Sequence, residues 1–178
     1  MNIEFEPLLN KTYLVPLSVS ERTGTFNNPE EVLVAEIDPT CADGKTLCET
    51  YNLDHKMSIK CLVVESNDDD KEKVRAAILL PIDYKYATST VKKILDSRDI
   101  TFSPLEEIIE KTGMEYGSIT PIGLPEDYQI LIDPLVLENE KIIVGGGLKK
   151  SKILLPSKTL LEIPNSQVVE NLSKVEEM

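Results

Sequence analysis

Residues 113–123 place the strongest local restriction on how this chain can fold. The segment reads GMEYGSITPIG and contains three glycines and one proline. Glycine permits positive φ angles and a close approach of the backbone, whereas Pro121 has no N–H and a fixed φ angle. The segment therefore suits an ordered loop better than a helix or a strand. Such a loop either forms part of a binding site or serves as a plain connector.

The rest of the chain alternates short strand-like and helix-like segments. Strands are predicted at 31–38, 58–66, 74–81, 99–102, 128–133, 141–146, 151–155 and 167–172, with helices at 45–53, 87–98, 103–113 and 156–163. Connections of hairpin length favour an α+β fold, in which a mixed, mostly antiparallel sheet or partly closed barrel is flanked by short helices. Residues 1–30 are expected to form an N-terminal arm or edge element, and residues 31–178 one domain. The polar tail SKVEEM is expected to fray.

Local signals fix where the glycine-proline segment begins. Ser103, Pro104 and Glu106 have the spacing of an N-cap serine, a proline at the first helical position and a capping-box glutamate. Gly113 stands where a left-handed C-cap of this helix is expected. The loop should therefore leave from the end of a well-defined helix.

Lys60 is the unusual residue of the predicted strand SIKCLVVES. Both faces of this strand are otherwise largely apolar. The Lys60 side chain must then either reach water at the edge of a sheet or point into a polar pocket, because a lysine is rarely buried without a partner. Cys61 points to the opposite face, so the geometry disfavours a catalytic pair of Lys60 and Cys61.

Composition argues against several classes of protein. Asp and Glu number 31 against 19 Lys and Arg, and the net charge of -12 disfavours a general nucleic-acid coat protein, although a small basic patch could still meet one end of an RNA. Three cysteines without a CxxC pair and the single histidine, His55, predict no metal site. We see neither a secretory h-region nor the run of roughly 20 apolar residues that a membrane helix needs. We therefore expect a cytoplasmic protein that does not contact a membrane.

A second glycine cluster, GGG at 145–147, is followed by Lys149, Lys150 and Lys152. The cluster fails the phosphate-loop pattern, since Leu148 stands directly before the lysine, where that pattern needs glycine. Hydrolysis of a nucleoside triphosphate is therefore not expected. The three lysines are the densest positive charge in the chain, and they either contact an RNA backbone or belong to a solvated hairpin turn.

The order and spacing of three motifs resemble the YbaK/ProX-type aminoacyl-tRNA deacylases. This family includes free-standing proofreading proteins and the editing domain inserted in bacterial prolyl-tRNA synthetases. The motifs are SIKCLVV with Lys60, KTGMEYGSITPIGL around the glycine-proline loop, and IIVGGGLKKSKILL at the glycine turn. The resemblance extends from about residue 31 to residue 172 and implies that residues 31–178 form an aminoacyl-tRNA editing domain.

The resemblance also implies a set of site residues. In the family the strand lysine lies at the pocket and is needed for activity, and the backbone of the loop contacts the aminoacyl group, so that Lys60 and Gly117 are the expected catalytic residues. The expected substrate-binding residues are Gly113, Ser118, Pro121, Gly123, Gly145, Gly146 and Lys152. Loop amides can hold an oxyanion and an ammonium can stabilise negative charge, so the resemblance implies no cofactor and no histidine triad.

Three positions depart from the family's pattern. Cys61 replaces a threonine, Gly145 stands where several members have a serine, and Lys152 stands where members have an aspartate or a histidine. The last two positions help to set which amino acid is accepted. We expect a deacylase that acts in trans on a mischarged tRNA, with tRNA(Pro) as the expected RNA. The alternative is a non-catalytic relative that binds an aminoacyl-adenosine, a tRNA 3′ end or a synthetase partner.

Overall fold

A computed structural model describes residues 2–175, which form an α+β fold. The strands are β1 (Glu6–Pro7), β2 (Leu33–Glu36), β3 (Ile59–Ser66), β4 (Arg75–Pro81), β5 (Tyr84–Tyr86), β6 (Ile100–Phe102), β7 (Gln129–Ile132), β8 (Lys141–Gly145), β9 (Ser151–Pro156), β10 (Ser166–Val168) and β11 (Ser173–Val175). The α-helices are α1 (Leu17–Gly24), α2 (Gly44–Tyr51), α3 (Thr88–Ile94), α4 (Leu105–Thr112) and α5 (Pro134–Leu137). The predicted fold class is confirmed.

Two sheets and a short ribbon contain these strands. The first sheet has the order β1-β2-β9-β8 and is antiparallel throughout. The second has the order β10-β7-β4-β3-β6 and is mixed, because β7 runs parallel to both β10 and β4. An isolated bridge between Ser58 and Ile143 joins the two sheets. Within residues 2–175 the sheets do not close into a barrel.

Strand β3 separates two hydrophobic cores, as its alternating pattern predicts. Ile59 and Val63 are buried in the main core, to which both sheets contribute, and Cys61 packs against it. Val64 and Leu62 point the other way, into the smaller core beneath α3. Because successive side chains of a strand alternate between its faces, β3 can anchor both layers at once.

The N-terminal segment contains the expected edge strand, since β1 pairs antiparallel with β2 at the end of the first sheet. It also contains α1, a helix that the sequence did not predict. Leu8, Leu14 and Val19 of this segment are buried in the main core. The division of the chain at residue 30 stays a prediction.

Helix α4 ends as predicted but begins differently. Gly113 is its C-cap, with a left-handed φ of 75°. At the other end the N-cap residue is Pro104, whose side chain offers no oxygen to the helix. The Ser103 hydroxyl instead donates a hydrogen bond over 3.0 Å to the carboxylate of Glu65 on β3. The predicted capping box is therefore wrong, because a buried carboxylate needs donors and takes this hydroxyl.

The C-terminal tail was expected to fray, but part of it forms a strand. Ser173–Val175 form β11 and pair with β5, so this part of the tail is not frayed, and residues 176–178 lie outside the described residues. The β11 pairing was missed because nothing in the local pattern SKV indicates a strand.

Of the helices in the described part, none has the length and apolar character needed to cross a membrane.

A substitution at Gly123 tests the packing of α1 against the glycine-proline loop. Its φ is 106°, and a Cβ there would lie 2.8 Å from the main-chain carbonyl of Ser18 in α1. We expect Gly123→Ala to lower the free energy of unfolding by more than about 2 kcal/mol, because it combines backbone strain with a clash that no rotamer relieves. Urea denaturation measures this effect.

The matched control is Gly24→Ala. Gly24 ends α1, and no atom lies within 4 Å of the Cβ position. Alanine has the higher helix propensity, so this variant should change the free energy of unfolding by less than about 1 kcal/mol, towards greater stability. Equal urea midpoints for the two variants would contradict the docking of α1 on the glycine-proline loop.

Candidate functional site

A cavity of 440 Å³ opens beside the first half of β3. On this side β6 pairs only with residues 64–66 of β3, whereas β4 covers the other side from Ile59 to Glu65. The edge of β3 at residues 59–63 therefore has no partner among the described strands, apart from the bridge at Ser58. The cavity occupies the gap that the short strand β6 leaves.

Five of the expected site residues meet at this cavity. Lys60 lines it from β3, Gly117 and Ser118 from the glycine-proline loop, Gly145 from the end of β8, and Lys152 from β9. Gly145 and Lys152 are direct partners in the β8–β9 ladder. Residues that are far apart in the sequence are thus brought together by the two sheets and the loop.

The other expected substrate-binding residues lie outside the cavity lining. Gly113 is the C-cap of α4, and Gly123 packs against α1. Pro121, in the loop between these two glycines, is buried. A Cβ on Gly146 would collide with the Ser151 side chain. These positions shape the loop and the turn, and a direct contact with substrate stays a prediction for them.

Hydrogen bonds hold the glycine-proline loop against the turn between β8 and β9. The Glu115 N–H donates to the Gly147 carbonyl over 2.7 Å, and the Gly147 N–H donates to the Ser118 carbonyl over 2.9 Å. The Lys149 N–H donates to the Glu115 carboxylate over 2.9 Å. A Cβ on Gly145 would lie 3.0 Å from the Ser118 carbonyl oxygen, so glycine permits this close approach. The loop and the turn form one wall of the cavity.

Several residues of the cavity lining have main-chain polar groups without a protein partner among residues 2–175. In the part of the chain that the structure describes, the N–H groups of Gly117 and Ile119 donate to no protein acceptor, and both residues line the cavity. On β3 the Val63 carbonyl accepts a hydrogen bond from the Ser103 N–H over 2.9 Å. Because main-chain groups alternate along a strand, the N–H and carbonyl of Cys61 point to the same side. The cavity therefore offers both donors and an acceptor.

The side chains at the cavity include no activated nucleophile. Burial raises the pKa of the Cys61 thiol to about 12, so this cysteine is protonated at neutral pH and is a poor nucleophile. His55 lies elsewhere, with Nδ1 3.2 Å from the Asp83 carboxylate. Among residues 2–175 no group of three His, Cys, Asp or Glu side chains is placed to hold a metal ion. The polar side chains of the cavity lining, apart from the Cys61 thiol, are those of Asp43, Lys60, Ser103, Tyr116, Ser118 and Lys152.

Lys152 is buried to an unusual degree for a lysine, with 7% of its surface exposed. Burial lowers the pKa of its ammonium, and the nearby Asp43 carboxylate only partly opposes that shift. The hydrogen bonds and ion pairs of the described residues include none to this ammonium. Lys60, by contrast, is only half-buried and lies closer to solvent.

Two exposed aromatic side chains border the cavity. Phe102 of β6 is 64% exposed and Tyr116 of the loop is 68% exposed, and both belong to the lining. Large exposed aromatic surfaces in a cleft are typical of ligand contact. The sequence prediction missed both residues. The position of Tyr116 directly before Gly117 in the loop motif was the available signal, whereas Phe102 had none.

The sequence of the chain is similar to those of known proteins. A family model of the aminoacyl-tRNA editing domain matches residues 38–163. A proline–tRNA ligase of Burkholderia multivorans (strain ATCC 17616 / 249) is 24% identical over 144 residues, which are 81% of this chain and 24% of that protein. The uncharacterized protein YwhH of Bacillus subtilis (strain 168) is 27% identical over 135 residues, 76% of this chain and 83% of that protein.

Solved structures show the same fold. A crystal structure of a candidate trans-editing enzyme for prolyl tRNA synthetase matches with a TM-score of 0.71 and 16% identity, over 97% of this chain and 99% of that chain. The hypothetical protein APE2540 matches with a TM-score of 0.69 and 19% identity, over 93% and 99% of the two chains.

The fold and the family match together define the class: the chain belongs to the aminoacyl-tRNA editing domain family. The resemblance drawn from the three motifs is confirmed. The chain spans about a quarter of the length of the proline–tRNA ligases that it matches, so it is homologous to one part of those proteins.

The burial of Lys152 predicts that a neutral side chain there stabilises the fold. We expect Lys152→Met to raise the free energy of unfolding at pH 7 by about 1–3 kcal/mol, because methionine removes a desolvated ammonium and keeps the volume. Lys149→Met, at an exposed position of the neighbouring turn, should change it by less than about 0.5 kcal/mol. Urea denaturation compares the three proteins.

The difference in the free energy of unfolding between Lys152→Met and wild type should depend on pH. The pKa of Lys152 is lowered in the folded state from 10.5, so the unfolded chain binds more protons between the lowered pKa and 10.5. The wild-type protein therefore gains stability through that window as pH rises, and the methionine variant does not. The advantage of the variant should shrink towards pH 10.5. A variant less stable than wild type at pH 7, or a difference independent of pH, would contradict the burial of a charged Lys152.

Proposed function

We propose that the chain is a deacylase that hydrolyses the ester of a mischarged tRNA in trans, with tRNA(Pro) as the expected RNA. The observation that supports this most is the convergence of Lys60, Gly117 and the loop amides on one cavity. The similarity to proline–tRNA ligases and to a candidate trans-editing enzyme for prolyl tRNA synthetase supports the choice of tRNA.

The exposed aromatics support a proposed orientation of the substrate. The terminal adenosine of a tRNA presents a flat base, and base–aromatic stacking contributes about 1–3 kcal/mol per base. Tyr116 and Phe102 offer such surfaces at the solvent side of the cavity. The base is proposed to lie against these rings, which directs the aminoacyl ester inward towards Lys60 and Gly117.

The polar groups of the cavity match the ester. Its carbonyl oxygen would accept hydrogen bonds from the N–H groups of Gly117 and Ile119, and the Lys60 ammonium would add positive charge beside it. Preorganised donors of this kind stabilise the oxyanion of the transition state more than the neutral carbonyl, which is the condition for catalysis. The Cys61 carbonyl at the strand edge would accept a hydrogen bond from the α-ammonium of the aminoacyl group.

The proposed reaction is addition of water followed by loss of the ribose oxygen. The water oxygen bonds to the carbonyl carbon, the carbonyl oxygen becomes an oxyanion, and the proton of the water passes to the departing ribose oxygen. Breakage of the ester bond then releases the amino acid and the tRNA. Because the Cys61 thiol is protonated, the proposed nucleophile is water rather than this cysteine.

The glycine turn contributes positive charge near the RNA. Lys149 and Lys150 follow the glycines of the turn that is bonded to the loop. In a chain with a net charge of -12, this local cluster is suited to the phosphates of the tRNA 3′ end. Contact with the rest of the tRNA is then limited by repulsion from the acidic surface.

Deacylation of a panel of mischarged tRNAs tests the proposal. Wild type should release at least one amino acid from tRNA(Pro), and Lys60→Ala should lower kcat/KM by roughly 100-fold or more, as expected for loss of a group that stabilises an oxyanion. Lys93→Ala is the control, because Lys93 is an exposed lysine of α3 outside the cavity lining. The activity of the Lys93→Ala variant should equal that of wild type.

Two results would count against the proposed reaction. Full activity in Lys60→Ala would remove the lysine from the mechanism. Binding of an aminoacyl-adenosine without hydrolysis of any ester would favour the non-catalytic alternative, in which the same cavity only recognises the tRNA end.

A further inference from the structure

We propose that Lys152 is the specificity-determining residue of the cavity and selects an aminoacyl group whose side chain ends in a carboxylate, namely aspartyl or glutamyl. This inference rests on the proposed function, because it takes the cavity to be the aminoacyl site. It goes further by naming the class of amino acid that is removed.

The first support is the depth of Lys152 in the cavity. Tyr116 and Phe102 are mostly exposed and Lys60 is half-buried, whereas Lys152 is 7% exposed. From these exposures we infer that the aromatics lie at the rim and that Lys152 lies deeper in the cavity than Lys60. An aminoacyl-adenosine with its base at the rim and its ester at Lys60 would direct its side chain towards Lys152.

The second support is the lack of a compensating group for this ammonium. A buried charge is normally paired and hydrogen-bonded, yet the described residues provide Lys152 with neither an ion pair nor a hydrogen bond. Asp43 attracts it but lies exposed, and its carboxylate already accepts hydrogen bonds from the Thr46 N–H at 3.1 Å and the Thr46 hydroxyl at 3.0 Å. A ligand carboxylate would supply the missing partner.

The third support is the electrostatic character of the inner end. Asp43 is the N-cap of the eight-residue helix α2, and Gly44 begins that helix at the cavity lining. The N-terminus of a helix carries partial positive charge, so α2 adds to the field of Lys152 rather than neutralising it. The charged side chains of the lining are Lys60, Lys152 and Asp43, a net positive set in a strongly acidic chain. This set favours an anionic side chain over a neutral or cationic one.

Non-hydrolysable analogues test the inference without requiring turnover. The probes are 3′-amino-3′-deoxyadenosine carrying amide-linked aspartate, asparagine, glutamate or glutamine, with free aspartate and free glutamate as separate arms. Calorimetric titration gives the dissociation constant of each with wild type, Lys152→Met and the control Lys93→Met, a change at an exposed lysine of α3 outside the cavity lining. Each acid and its carboxamide have nearly the same shape, so their ratio reports the charge alone.

We expect wild type to bind one of the two acidic analogues roughly 10- to 100-fold more tightly than its carboxamide, as for a buried hydrogen bond between charged groups. Lys152→Met should reduce the ratio to about one, and Lys93→Met should keep it. Lys152→Gln provides a second variant, which retains a hydrogen-bond donor without the charge and should also lose the ratio. Free amino acids should bind much more weakly than the analogues.

Several outcomes would overturn the inference. These are equal dissociation constants for acid and carboxamide in wild type, an unchanged ratio in both Lys152 variants, no binding of any analogue, and free amino acids that bind as tightly as the analogues. A failure of the proposed function is distinguishable, because hydrolysis would then be absent for every tRNA ester while the analogues still showed the ratio. Hydrolysis of neutral esters without any preference for acidic ones would overturn the inference alone.

Discussion

The site depends on the hydrogen bonds of Gly147 with the glycine-proline loop. Its carbonyl accepts from Glu115 and its N–H donates to Ser118, so the β8–β9 turn and the loop are held together on both sides of one residue. Gly145 makes this contact possible because a side chain there would press on the loop carbonyls. Without the pairing, the amides of the loop would have no fixed position relative to Lys60, and the proposed stabilisation of an oxyanion would lose its preorganised donors.

A second constraint is the shortness of β6. By ending at Phe102 it leaves part of the β3 edge unpaired, and unpaired main-chain groups are costly when they are buried without a partner. This unpaired edge lines the cavity, where the proposed substrate could bind to it. Lys152 is a similar case, because burial of its ammonium lowers the stability of the fold and the proposed ligand carboxylate would offset that cost. Under the proposed function, structural stability and ligand recognition therefore favour opposite properties at the β3 edge and at Lys152.

The parts of the structure that local patterns determine were predictable. The alternation of β3 and the left-handed cap at Gly113 follow from residue spacing alone, and the motif order indicated the family. The role of Ser103 was not predictable, because its acceptor Glu65 is 38 residues away. Helix α1 was missed for a related reason, since its buried residue Val19 gains its apolar environment only from tertiary contacts. The motifs likewise could not separate Gly117, which lines the cavity, from Gly123, which packs on a helix.

The most direct test is a crystal structure of the chain with an amide-linked aminoacyl-adenosine analogue. The account predicts the aminoacyl carbonyl within hydrogen-bond distance of the Gly117 N–H, about 2.7–3.2 Å, with the base against Tyr116 or Phe102. The β8–β9 turn should keep its bonds to the loop. An analogue bound at another surface, or one that enters the cavity with its carbonyl away from both the loop amides and Lys60, would contradict the central claim.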